Sequence, residues 1–139
     1  MKILYTVATG EIVMIGYFGS ITPGSGQSVS EYDGDMPDNA SFYTFDGGNL
    51  VRKNQEAIDE LKAIAGFNVD LMTARFGQTF SGVAAVGLAP YLGAIQSYGA
   101  AKNFSGMNDF IGGLVALGKA TQEQADQIIA IVEEQGIIL

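Results

Sequence analysis

Ser41-Phe42-Tyr43-Thr44-Phe45-Asp46-Gly47-Gly48-Asn49-Leu50-Val51-Arg52-Lys53-Asn54-Gln55-Glu56-Ala57-Ile58 holds the point at which this chain changes period. Ser41–Phe45 and Leu50–Lys53 flank Asp46-Gly47-Gly48-Asn49, a tight-turn sequence, and predict a short hairpin. After Lys53 the apolar spacing moves from two residues to about 3.6. Asn54 can cap a helix, and Glu56 complements the dipole at its start. Ile58, Leu61 and Ala65 form its stripe, and Gly66 is its stop. The reading is therefore α+β. A small N-terminal antiparallel β-hairpin sheet is followed by a C-terminal helical bundle, with residues 1–53 as β and loop, 54–139 as helix, and the whole as one structural unit.

Upstream, Lys2–Ala8 and Glu11–Phe18 predict a first hairpin turning at Thr9-Gly10. Its alternation is unusual. Ile3, Tyr5 and Val7 share a face opposite Leu4, and Val13, Ile15 and Tyr17 oppose Ile12, Met14 and Phe18. Both faces are largely apolar, so the hairpin wants cover on both sides, from its own helices or another subunit. Residues 19–41 are crowded with turn formers and read as a 23-residue loop of the kind that lies against a partner.

Downstream, the helical spacing continues through Val69, Met72, Phe76, Phe80, Val83 and Val86 as one buried seam. Pro90 fits best in the first turn of a new helix reaching about Lys102. Met107, Phe110 or Ile111, Leu114 and Leu117 form the next stripe, ended by Gly118. Thr121-Gln122-Glu123-Gln124 is a capping box, opening a last helix with Ala125, Ile128, Ile129 and Val132. Gly136 closes it, leaving Ile137-Ile138-Leu139 as an apolar tail beyond the stop. Loss of that tail is expected to weaken assembly more than folding.

Composition removes much chemistry. The chain has no cysteine and no histidine, which excludes thiol nucleophiles, imidazole-dependent triads, thiolate metal sites and imidazole ligands. Seven basic against fifteen acidic residues give a net charge of −8, a poor match for nucleic acid. Glycine supplies 19 of 139 residues, roughly twice its usual ~7% share. The start, Met1-Lys2-Ile3-Leu4-Tyr5, lacks a secretory pattern, so the chain is expected to be made and kept in a cytoplasm.

Several stretches admit both a functional and a plainer reading. Phe76–Ala101 carries no charge and is long enough to span a bilayer. Its Gln, Thr, Ser, five glycines and Pro90 favour a buried helix pair instead, with small residues allowing close packing. Glu31, Asp33, Asp35 and Asp38 offer hard oxygen ligands, but not at EF-hand spacing, and read as a solvated turn. Gly24-Ser25-Gly26 and Asp46-Gly47-Gly48-Asn49 lack the lysine of a phosphate-binding loop. The acidic pairs Asp59-Glu60 and Glu133-Glu134 read as helix surface. Tyr32, Phe42, Tyr43 and Phe45 read as packing beneath the loop rather than as a stacking platform. No catalytic residue, cofactor or metal is expected.

Three stretches carry a resemblance. Tyr5-Thr6-Val7-Ala8-Thr9-Gly10-Glu11-Ile12-Val13 resembles the strand, turn and strand that open many small bacteriophage tail and tail-fibre-associated proteins. Phe42–Lys53 is similar to the hairpin that follows in them, and Lys119–Asp126 looks like their C-terminal segments. The resemblance implies a virion structural or assembly role rather than an enzyme, and it assigns no site residue. The two-faced hairpin, the loop and the apolar tail point independently to protein contacts. Contact residues are expected at Leu4, Ile12, Met14, Phe18, Ile137, Ile138 and Leu139. The expected partners are other virion proteins, in a homo-oligomer or hetero-assembly of a tail, baseplate or fibre attachment, with no nucleic acid and no membrane. The rivals are a tail-fibre assembly chaperone absent from the mature particle, a membrane-associated helical protein, and an enzyme working through carboxylates alone, which the lack of a clustered acid–base pair disfavours.

Overall fold

The computed structural model describes all 139 residues. Five strands come first: β1 (Lys2–Thr6), β2 (Ile12–Gly16), β3 (Gln27–Glu31), β4 (Tyr43–Asp46) and β5 (Asn49–Arg52). Five helices follow: α1 (Gln55–Ala65), α2 (Val69–Thr79), α3 (Gly82–Ala100), α4 (Phe104–Ala116) and α5 (Gln122–Glu133). The α+β class and its order are as the change of period predicts. The chain divides into two compact units, Met1–Leu61 and Lys62–Leu139, with the dividing line inside α1.

In the first unit, β1 is the central strand of an antiparallel sheet ordered β2-β1-β3, and β4 pairs with β5. Both expected hairpins are present. Gly47 and Gly48, with φ of +58° and +93°, make the two-residue turn of the second. The third strand corrects the sequence reading. The span read as a 23-residue loop contains β3, which runs along β1 from Lys2↔Glu31 to Thr6↔Gln27. Gln-Ser-Val-Ser-Glu carries one apolar residue, so hydrophobic periodicity cannot register it.

Gly10 joins the two hairpins. Its φ is +72°, and its carbonyl accepts a 2.8 Å hydrogen bond from the Phe45 N–H. A Cβ on Gly10 would lie 2.8 Å from the Phe45 carbonyl oxygen, so the backbones meet only because this residue has no side chain. The Tyr5 and Phe45 rings pack tilted at 4.7 Å, and Lys53 Nζ pairs with Glu11 at 2.9 Å. Ile3 and Leu4 are both buried on opposite faces, so β1 is covered on each side.

The second unit closes on Met72, Phe76, Ile95, Met107, Ile111, Ile128 and Val132. Asn54 accepts from the Ala57 N–H at 2.8 Å, as expected of the α1 cap. The reciprocal Thr121/Gln124 capping box is also formed, at 3.0 and 3.1 Å. Asn68 and Asn103 cap α2 and α4 in the same way.

Four other expectations are corrected. The seam from Ile58 to Val86 is not continuous, because the chain leaves the helix at Gly66 and again at Phe80-Ser81. Val83 and Val86 are consequently 91% and 75% exposed. Pro90 lies inside α3 rather than in its first turn. Val86 and Pro90 are both exposed, so water can take the bond that the missing N–H leaves open. Leu117 follows the end of α4 and points to solvent. Ile137 does not extend outward past Gly136. It is buried in the helical core, with Leu139 packed partly against that core.

The ends of the second unit are tied by polar contacts. Gln135 pairs its amide with the Asn68 backbone, accepting from N–H at 2.8 Å and donating to C=O at 3.0 Å. Lys102 Nζ donates to the Ile64 and Ala65 carbonyls at 2.8 and 2.7 Å, closing the end of α1. Arg75 forms a fork on Glu134, with Nε to Oε2 at 2.9 Å and Nη2 to Oε1 at 2.8 Å.

The hydrogen bond from Arg75 holds the Glu134 carboxyl below its ordinary range. A carboxylate depressed on folding adds stability above its unfolded pKa, which is lost as pH falls through the folded value. Glu134→Gln is therefore expected to melt lower than the parent near neutrality. The gap should shrink as acidification proceeds below the ordinary carboxylate range, and should narrow in high salt, since the pair is exposed. Thermal melts of both proteins across pH check this, and a gap that widens in acid contradicts it.

Candidate interaction surface

β2 lies at the edge of the three-stranded sheet. A bulge interrupts its pairing with β1: Leu4 faces Met14, Tyr5 faces Ile12, and Val13 has no partner opposite. The extra residue re-aims the strand locally. Val13 and Met14 are 51% and 44% exposed, and Tyr17, just past the strand, is 87% exposed. Val7 is also exposed, in the turn that joins β1 to β2.

The seven expected contact residues divide by burial. Leu4 and Ile137 are buried inside the chain, so they offer a partner nothing in this conformation. Ile12, Phe18 and Leu139 are half-buried. Met14 and Ile138 are exposed. Sequence reasoning missed Val13 and Tyr17. Both faces of the strand are apolar, so alternation could not choose between them, and a bulge leaves no mark in the period.

The remaining sequence features fall as follows. Glu31, Asp33, Asp35 and Asp38 do not gather, and no group of three or more acidic side chains is placed to hold a metal ion. Tyr32 folds over Gly34 and donates its hydroxyl to the Asp35 carbonyl at 3.1 Å. Phe45 is buried, and Arg52 lies 6.0 Å over the Tyr43 ring. The uncharged run Phe76–Ala101 is split between the end of α2 and α3, and no helix is long and apolar enough to cross a membrane.

In the second unit, an apolar cleft of about 260 Å³ opens between α2 and α3. Phe76, Phe80, Ala85, Leu88 and Leu92 supply most of its wall. Thr73 is its one side chain with a polar atom, and that hydroxyl is engaged. It donates to the Val69 carbonyl and accepts from Gln96, both at 2.9 Å. The cleft can therefore hold apolar groups but has no free side-chain atom with which to orient a polar one.

Comparison with protein-family models, with curated proteins and with solved structures finds no match to this chain.

Proposed function

We propose that the chain is a non-enzymatic virion structural protein that acts through protein–protein contacts in a phage tail, baseplate or fibre attachment. The observation that carries this reading is the edge strand β2 of the first sheet, where Val13 and Met14 are exposed, with Tyr17 exposed just past its end. Apolar side chains grouped on an edge strand are a liability in a free monomer and a contact surface in an assembly. The resemblance of Tyr5–Val13 and Phe42–Lys53 to tail-associated proteins supports the same reading. The net charge of −8 favours protein partners over nucleic acid.

Substitution at that edge tests it. Val13→Lys with Met14→Lys is expected to change subunit stability by about 0.5 kcal/mol or less per site, because both side chains are already exposed. Incorporation into particles, measured by mass spectrometry of purified virions, is expected to fall at least tenfold. Unchanged incorporation of a folded double variant contradicts the assignment of this edge.

A further inference from the structure

The two edges of the first sheet differ. Beyond β2 the pairing continues at one end, through the Glu11–Thr44 bridge and the hydrogen bond from the Phe45 N–H to the Gly10 carbonyl. Beyond β3 the sheet stops. Two bonds fix which way β3 faces: Tyr32 N–H to the Met1 carbonyl, and Val7 N–H to the Gly26 carbonyl. In an antiparallel ladder, bonded pairs alternate with unbonded ones. Ser28 and Ser30 therefore bond to β1, and Gln27, Val29 and Glu31 turn their main-chain groups outward.

Two of those outward groups are already engaged. The Gln27 N–H donates to the Gly24 carbonyl at 3.1 Å, and the Glu31 carbonyl accepts from the Ser30 hydroxyl at 3.1 Å. The others have no partner in the chain: the N–H groups of Val29 and Glu31, and the carbonyls of Gln27 and Val29.

We propose that β3 pairs antiparallel with β3 of a second copy, about a two-fold axis through Val29, joining the two sheets into one. The free groups select this register. The Val29 N–H and C=O of one copy meet the C=O and N–H of Val29 in the other, and each Glu31 N–H meets a Gln27 carbonyl. The remaining facing groups, Gln27 N–H and Glu31 C=O, are the two already bonded within each chain. A two-fold contact requires a patch that complements itself, and this edge does so donor for acceptor, with no internal bond broken.

The side chains agree with the backbone. Gln27-Ser28-Val29-Ser30-Glu31 reads nearly the same in both directions. The register sets Val29 against Val29, serine against serine, and Gln27 against Glu31. Gln27 Oε1 accepts from the Gly24 N–H at 3.0 Å, which leaves the amide NH₂ to donate to the facing carboxylate. Moving the axis to Ser30 or Glu31 would set the Glu31 carboxylate against Val29 or against its own counterpart, both unfavourable. In strand addition, main-chain bonds supply affinity and side chains supply specificity. With one five-residue strand per copy, the pairing is reversible, and it tightens where an assembly already holds copies as neighbours. It stands on β3 and not on Val13 and Met14 of β2, and holds whether or not the chain enters a particle.

Sedimentation velocity of the full chain from about 5 µM to about 1 mM tests it over the range of a weak, reversible pair. The weight-average mass is expected to rise with concentration toward twice the monomer value. Val29→Pro removes an N–H that β1 does not use, a substitution that an edge strand tolerates. It should raise the dissociation constant at least tenfold. Gln27→Glu, which sets carboxylate against carboxylate, should do the same, whereas Gln127→Glu, at an exposed site on α5, should not. Gln27→Glu with Glu31→Gln exchanges the two residues at constant net charge and should restore association.

Disulfide trapping reads the register directly, since the chain has no native cysteine. Facing residues of a bonded antiparallel pair have Cα atoms ~5.5 Å apart, within the ~4.4–6.8 Å that a disulfide spans. Val29→Cys should therefore oxidise to a covalent dimer, and Gln127→Cys should not. A chain that stays monomeric at the highest concentration overturns the proposal. So does association unchanged by Val29→Pro, an exchange of Gln27 and Glu31 that fails to restore it, or trapping equal at positions 29 and 127. None of these outcomes bears on whether the β2 edge directs incorporation.

Discussion

Deleting Ile137-Ile138-Leu139 is expected to destabilise the helical unit by roughly 2–5 kcal/mol, the usual cost of emptying a buried isoleucine site. Ile137 is 3% exposed and belongs to the same cluster as Ile128 and Val132. Leu139 adds partial packing, and Ile138, at 61% exposed, adds little. For a unit of this size, each kcal/mol corresponds to about 4–8 °C, so the melting temperature should fall by about 10 °C or more. Ile137→Ala should reproduce most of the loss, and Ile138→Ser almost none. Calorimetry of the three variants checks this. A truncated chain with an unchanged melting temperature would restore the reading in which the tail serves assembly alone.

The second large effect is expected at Gly10. Alanine there must adopt a φ of +72°, which costs an L-residue about 1–2 kcal/mol. Its Cβ must also displace the Phe45 carbonyl, 2.8 Å away. That carbonyl belongs to the segment whose N–H bonds back to Gly10, so relief of the clash breaks the join between the hairpins. A loss of roughly 2–4 kcal/mol is expected, combining the conformational strain with the broken contact. Gly47→Ala supplies the comparison. Gly47 has φ +58° and open space at its Cβ, so it carries the conformational cost without the contact. Hydrogen exchange at β1, β2 and β4 should accelerate far more in Gly10→Ala than in Gly47→Ala. Equal effects at the two sites would mean that Gly10 matters only as a turn residue.

What could be read from the sequence followed from which signals are local. The change from period two to 3.6 at Lys53-Asn54 placed the strand-to-helix transition, because alternation and capping are written in neighbouring residues. The Thr121/Gln124 box and the Gly47-Gly48 turn were legible for the same reason. β3 was not, because its polar sequence is a strand only through pairing with β1. The apparent seam from Ile58 to Val86 failed because helical spacing persists numerically across breaks at Gly66 and Ser81 that turn the next helix elsewhere. Pro90 is tolerated mid-helix because the carbonyl that it leaves unpaired, that of Val86, lies on an exposed face where water can satisfy it.

The surface was legible only in outline. That the first hairpin has too much apolar area for its size was evident, and Met14 was among the residues expected to make contact. Which side of β2 faces outward depends on the bulge at Val13, a backbone feature with no sequence signature. The tail was misread because an apolar segment after a helix stop can either leave the fold or return to it. The left-handed turn at Gly136, with φ +88°, returns it toward Ala63, whose Cβ would lie 3.1 Å from a Cβ on that glycine.

A virion structural protein, as proposed for this chain, must be present in the finished particle. Counting its copies in purified virions by quantitative mass spectrometry, against an abundant structural protein of the same particle, tests it most directly. A fixed, reproducible number of copies per particle that survives gradient purification is expected. A chain abundant in the infected lysate but absent from the purified particle would contradict it and identify an assembly chaperone instead.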